Sequence, residues 1–166
     1  RACANVDGFA LQLRDRTDRT DEDLLPLARE LRAIVPFLIV NRRIALARRV
    51  RADGVHGEDL PLDFAWRSSP AHDAHQLQNA RILGANAALV SPIFASPKVT
   101  MGKDAPRGVD ALREARAKEP EMTLVALGGV DETNARACRD AGADAVAVIR
   151  AIFESRDPAA AAARLL

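Results

Sequence analysis

With 166 residues, 48% of them hydrophobic and 28% charged, the chain is large enough for one domain with a true core, burying about two-thirds of its unfolded surface. Lys and Arg number 24 against 23 Asp and Glu, a balance that gives no bulk attraction to nucleic acid or to an anionic membrane. No apolar run approaches the roughly 18 residues of a membrane span, and Cys3 and Cys138 stand too far apart for a disulfide framework or a metal-ligand pair. The expectation is a reduced, cytoplasmic protein with neither nucleic-acid nor membrane partners. Scarce aromatics and the absence of Tyr also weaken a single-strand nucleic-acid reading, which needs stacking platforms.

In chain order, Gly8 to Arg14 reads as a strand, and Thr20 with Asp23 forms a capping-box start. Leu24, Leu27, Ala28, Leu31, Ile34 and Val35 recur at helical spacing up to Pro36, which opens the strand 36–40. A helix over 41–51, a short strand over 53–56 and a weak strand over 65–69 follow. The spacing predicts a helix over 73–83 with Gly84 just past its end, and a strand over 87–91. A helix over 109–118 stops before Pro120, and a strand over 122–127 closes on Gly128-Gly129. Asp131 is expected to cap a helix to Ala141. The strand 144–149, a short helix and an alanine-rich tail complete the chain.

Short apolar strands alternating with helices are the pattern of a parallel α/β sheet. Two architectures fit: an open doubly wound sheet, and a (β/α)8 TIM barrel apparently lacking its first strand. The start at Arg1 and the length, against about 200–250 residues for a complete barrel, give the expectation of a single barrel domain over 1–166 that is incomplete at its N-terminus.

Barrel chemistry sits at the carboxyl ends of the strands, and here those ends are polar. The first carries Gln12 and Arg14, the second Asn41, the third His56, the fourth Ser68 and Ser69 with His72 just after, the fifth Ser91, and the last Arg150. Gln12 and Arg14 share one face of their strand while Leu11 and Leu13 take the other. An inward guanidinium needs an anion, met either by Asp15 or another internal carboxylate, or by a bound carboxylate or phosphate. Gly128-Gly129 allows close backbone approach and bare N–H donors, and in barrels the last two strand ends often hold phosphate. Ser96, Lys98, Thr100 and Lys103 lie on the long stretch 91–108, where Lys98 can neutralise a phosphate or a leaving group. His72 is the acid/base candidate among the histidines, none of which has metal-ligand spacing.

The strings ALQLRDR, LIVNRR, ADGVHGEDLP, SSPAHDAHQL, GANAALVSPIFASPK, VALGGV and GADAVAVIRAIF, in this order, resemble the thiamine-phosphate synthases and their TenI-type relatives. The resemblance implies a (β/α)8 barrel and a transferase of thiamine biosynthesis. That enzyme joins hydroxymethylpyrimidine diphosphate to a thiazole phosphate and releases pyrophosphate with the help of Mg2+. It implies that Gln12, Arg14, Asn41 and Lys98 surround the pyrimidine and diphosphate, that Asp59 takes an acidic metal position, and that Gly128, Gly129 and the last strand end hold the thiazole phosphate.

The departures from the family pattern are specific. Arg16 stands where the family has Lys, and Arg42 where it has a metal-binding Asp. The run leading to Asp59 is shortened, which weakens the implied metal site. Pro70 lies two positions before His72, with Ser69 adjacent. The Thr-x-Thr-Lys motif is compressed to Ser96-Pro97-Lys98, and Arg150 replaces a serine. The expected substrate contacts therefore include Arg16, Arg42, Ser69, Ser96 and Arg150, with Arg14, Lys98 and His72 catalytic. Two further readings stay open: a metal-free thiazole tautomerase in which His72 carries the proton, and a non-catalytic barrel that binds phosphate ligands. The expected partners are small-molecule phosphate substrates, and a homo-oligomer is compatible with the sequence.

Overall fold

The computed structural model describes residue 3 and residues 5–95 and 105–165. Its strands are β1 (Leu11–Leu13), β2 (Leu38–Asn41), β3 (Gly54–His56), β4 (Trp66–Ala71), β5 (Ala87–Val90), β6 (Thr123–Leu127) and β7 (Ala145–Ala147). Its helices are α1 (Asp21–Ile34), α2 (Ile44–Arg49), α3 (Ala74–Ile82), α4 (Asp110–Lys118), α5 (Ala135–Asp140), α6 (Arg150–Phe153) and α7 (Pro158–Arg164).

The seven strands form one parallel sheet in strict chain order. Right-handed crossovers that always step the same way put every connection on one face of the sheet. A doubly wound sheet needs a reversal of strand order, and there is none here. The order is that of a TIM-like barrel lacking one strand. The sheet is also curled: Cys3, Val6 and Phe9, which precede β1, pack into the cluster built on β5, β6 and α7, and the Cys3 thiol donates to the Pro158 carbonyl at 3.3 Å.

Each strand turns alternate residues to the helices. Leu11, Leu13, Leu38, Val40 and Val55 join α1 and α2 in one apolar cluster. Ala71, Ala88, Val90, Leu124 and Ala126 join α3, α4 and α5 in another. The register then sets the opposite face in rows, Gln12 beside Ile39, Gly54 and Trp66, and above them Asn41 beside His56, Ser68 and Ala87. Trp66 closes the lower row. Trp66 meets Phe37 edge-on at 6.1 Å, and a side chain at Gly54 would collide with the Trp66 ring.

The lower end is stapled by a repeated device. Helices α2, α3 and α5 end in the same pair of bonds: Arg51, Gly84 and Gly142 take left-handed backbone. The next N–H in each case reaches back to Ala47, Ala80 or Cys138. Two residues after each of these turns comes Asp53, Asn86 or Asp144, whose side chain accepts from the backbone N–H of Leu38, Arg67 or Leu124 on the preceding strand.

Several expectations shift. The first strand shortens to Leu11–Leu13, because Gly8 is in a turn with φ 72°. The weak strand is the longest, Trp66–Ala71. Asp131 is not the helix cap: its carboxylate takes the Thr133 N–H, and α5 starts after Asn134. Thr20 and Asp23 form the expected reciprocal capping box.

Asp53→Ala leaves the buried Leu38 N–H without its acceptor and releases Arg32, so chemical denaturation is expected to register a loss of about 1–3 kcal/mol. Asp53→Asn, which keeps an acceptor oxygen, is expected to lose less than half of that.

Candidate active site

The polar strand ends gather on the face away from the helices. Gln12 takes the inward side of β1, and Arg14, exposed, follows the last residue of the strand. The Asp15 carboxylate is diverted elsewhere: it accepts from Arg19 at 2.7 Å and Thr17 at 2.8 Å and lies 3.6 Å from Arg43. Arg43 in turn donates to Asp21 at 2.8 Å and to the Arg19 carbonyl. No carboxylate among the described residues pairs with Arg14. Burial and the charges of Arg16 and Arg42 all disfavour its cationic form and hold its pKa below the ordinary arginine range. Three guanidinium groups thus share one end of the sheet.

At the end of β2, Asn41 faces inward in register with His56. Arg42 takes a left-handed φ of 60°, a conformation that costs a residue with a side chain about 1–2 kcal/mol. Its N–H donates to the His56 carbonyl at 2.9 Å, while its guanidinium is solvent-exposed and 3.7 Å from Glu58.

His56 and Ser68 form a buried pair. The Ser68 hydroxyl donates to the Val55 carbonyl at 3.3 Å, so its oxygen is left to accept the His56 Nδ1–H at 3.0 Å. Burial first, then Arg14 and Arg42, push the His56 pKa down to about 4. The ring is therefore neutral near pH 7, with Nε2 as an acceptor. At the next strand ends, His72 Nδ1 lies 3.0 Å from the Ser91 carbonyl and 3.1 Å from its hydroxyl. A carbonyl only accepts, so Nδ1 carries the hydrogen and Nε2 is free to take a proton.

Gly128 and Gly129 have φ of 100° and 64° and press on the segment after β5. A side chain at Gly128 would meet Pro92 at 3.0 Å, and one at Gly129 would run into Phe94 and Ala95. The pair therefore has a packing reason as well as the expected backbone role. Arg150 opens the single turn α6 at the end of β7 and is exposed.

Gln12, Arg14, Asn41 and His72 lie at this end as expected, with Arg16 and Arg42 close enough to act on Arg14 electrostatically. Ser69 does not face inward. It pairs with Ala88, whose side chain belongs to the helix-side cluster, and the inward serine is Ser68. Strict alternation from Trp66 carries that signal. His56 had no assigned role in the sequence, although it follows Gly54 by two residues and so shares its inward face. Ser96 and Lys98 lie outside the described residues.

The implied Mg2+ finds a poor donor set. Asp59 is exposed, its neighbour Glu58 is paired with Arg42, and no group of three His, Cys, Asp or Glu among the described residues can hold a metal. No helix among them is long and apolar enough to cross a membrane.

These features define a singly wound, TIM-like α/β protein with cationic and imidazole groups at the carboxyl ends of its strands. The chain belongs to the thiamine monophosphate synthase family, whose model matches residues 2–152. It is 38% identical to a thiamine-phosphate synthase of Methanoregula boonei, over 97% of this chain and 79% of that protein. It is 36% identical to one of Thermosynechococcus vestitus, over 94% of this chain and 47% of that one. The chain spans about half the length of the cyanobacterial relatives it matches. The thiamine phosphate pyrophosphorylase from Pyrococcus furiosus superposes with a TM-score of 0.80 at 23% identity, covering 94% of this chain and 80% of that one, which supports the fold.

The depressed His56 pKa has a stability consequence. Its folded value, about 4, lies below the 6.5 of an ordinary histidine, so between these values the unfolded chain binds more protons and stability falls as pH falls. Urea denaturation is expected to show the protein about 2 kcal/mol less stable at pH 5 than at pH 7 from this group. His56→Gln is expected to remove most of that difference.

Proposed function

We propose that the protein is a thiamine-phosphate synthase that joins hydroxymethylpyrimidine diphosphate to thiazole phosphate with release of pyrophosphate. We further propose that its one domain is a (β/α)8 barrel in which one more parallel strand lies between β7 and β1. The observation that carries the functional reading is Arg14. It is a solvent-accessible guanidinium just past the carboxyl end of β1 whose adjacent carboxylate is occupied by Arg19 and Arg43, and so it is available to an anion.

In the reaction, the bond between the pyrimidine methylene and the diphosphate oxygen breaks and its electron pair leaves with pyrophosphate. The thiazole nitrogen then donates its lone pair to the methylene carbon to form the new C–N bond. Charge grows on the departing oxygens, where Arg14, Arg16 and Lys98 serve by electrostatic stabilisation. Asn41, Gln12 and the neutral His56 offer hydrogen bonds to the pyrimidine. Gly128 and Gly129 approach the thiazole phosphate through bare backbone, with Arg150 following the neighbouring strand β7.

A second reading, a thiazole tautomerase without metal, is favoured by the His72–Ser91 contact, which holds Nδ1 protonated and leaves Nε2 to move a proton.

Incubation with both substrates is expected to yield thiamine phosphate and pyrophosphate in equal amounts, and Arg14→Gln to lower kcat/KM by about 10²–10³-fold. Proton exchange on a thiazole phosphate carboxylate that His72→Ala abolishes, with no pyrophosphate formed, would instead establish the tautomerase.

A further inference from the structure

We propose that the diphosphate end of this site operates through guanidinium groups in place of a divalent cation, with Arg42 supplying the charge that a metal would bring. The inference rests on the reading of the site as a diphosphate site and concerns how that anion is neutralised.

Arg42 is rooted firmly and ends freely. Its backbone is held in the left-handed region at φ 60° and bonded to the His56 carbonyl at 2.9 Å. Its Cγ lies only 3.2 Å from where a side chain at Gly57 would begin, so the stem rests on bare backbone. Beyond the stem, 70% of the side chain is exposed, and its one ionic contact among the described residues is a 3.7 Å approach to Glu58, itself 79% exposed. Exposed pairs at this separation hold side chains weakly. The guanidinium can leave Glu58 for a bound anion without breaking a built contact. A residue with a side chain in left-handed backbone at a strand end, where Asp, Asn or Gly fit with less strain, points to a use for that side chain.

The surroundings favour an anion and disfavour a dication. Among the described residues Arg14 has no carboxylate partner, and Arg16 and Arg42 both act on it electrostatically. A dication at this end would be repelled by all of these groups. Mg2+ is commonly held through one or two carboxylates together with substrate phosphates. Here Glu58 faces Arg42, and Asp59 lies exposed within the field of Arg48. Guanidinium groups meet phosphate oxygens through paired N–H donors and need no coordination shell. His56, held neutral with Nδ1 on Ser68, adds no further positive charge beside them.

The test is calorimetric titration of the full chain with inorganic pyrophosphate, once in EDTA and once in Mg2+. Wild-type affinity in EDTA is expected to lie within about threefold of that in Mg2+. Arg42→Gly keeps the left-handed backbone and removes only the side chain. It is expected to weaken binding in EDTA by about tenfold or more while leaving the thermal transition in place. Arg42→Asp is expected to bind pyrophosphate only when Mg2+ is present. Wild-type binding that requires Mg2+, or Arg42→Gly binding unchanged in EDTA, overturns the inference and leaves the diphosphate reading standing. Absence of pyrophosphate binding in both buffers overturns the diphosphate reading together with it.

Discussion

The direction of the crossovers governs everything else in this molecule. Because β1 to β7 pair in chain order, all connections fall on one side, and each strand has one face sealed by helices. The pleat then leaves no freedom. Leu11, Leu13, Leu38, Val40 and Val55 must meet α1 and α2, so Gln12, Asn41 and His56 must meet one another. A slip of one residue in any strand would exchange these sets. The carboxylate and amide of Asp53, Asn86 and Asp144, each bound to the backbone of the preceding strand, hold the strands against such a slip from the end opposite the site.

Charge is the second organising feature. The chain is nearly neutral overall, with 24 basic and 23 acidic residues, yet its ion pairs are distributed unevenly. Arg19 and Arg43 take Asp15, Arg49 takes Glu22, Arg48 takes Asp63 and Arg116 takes Asp144. Among the described residues, Arg14 at the end of β1 has no carboxylate partner, and Arg16 and Arg42 act on it electrostatically. Arg14 is exposed at the strand end, and the carboxylate one residue away, Asp15, is taken by Arg19 and Arg43. Like charges are thereby left together at an open end of the sheet, where a bound anion relieves their repulsion.

Much of this was legible in the residues. Periodicity and capping located most of the elements, and the separation of Gln12 and Arg14 by one position gave their shared face. Chain order of pairing was not legible in the periodicity, because short apolar strands carry no signal of which neighbour they take; it came with the family resemblance, which implied a barrel, and the seven strands follow it. Neither was the diversion of Asp15, which depends on Arg43 from another element. Ser69 was chosen over Ser68 because β4 lacks clean polar alternation: buried Ser68 and Ser69 occupy opposite faces. The repeated turn followed by Ala and then Asp or Asn, at 51–53, 84–86 and 142–144, was visible in the sequence. Aligned on one another, these triplets place His56 inward.

The most direct measurement is a crystal structure of the protein with inorganic pyrophosphate bound. The account predicts the anion at the carboxyl ends of β1 and β2, within hydrogen-bond distance of the Arg14 guanidinium. An anion bound at the opposite end of the sheet near Trp66, or Arg14 turned outward onto a carboxylate with the anion elsewhere, would contradict it.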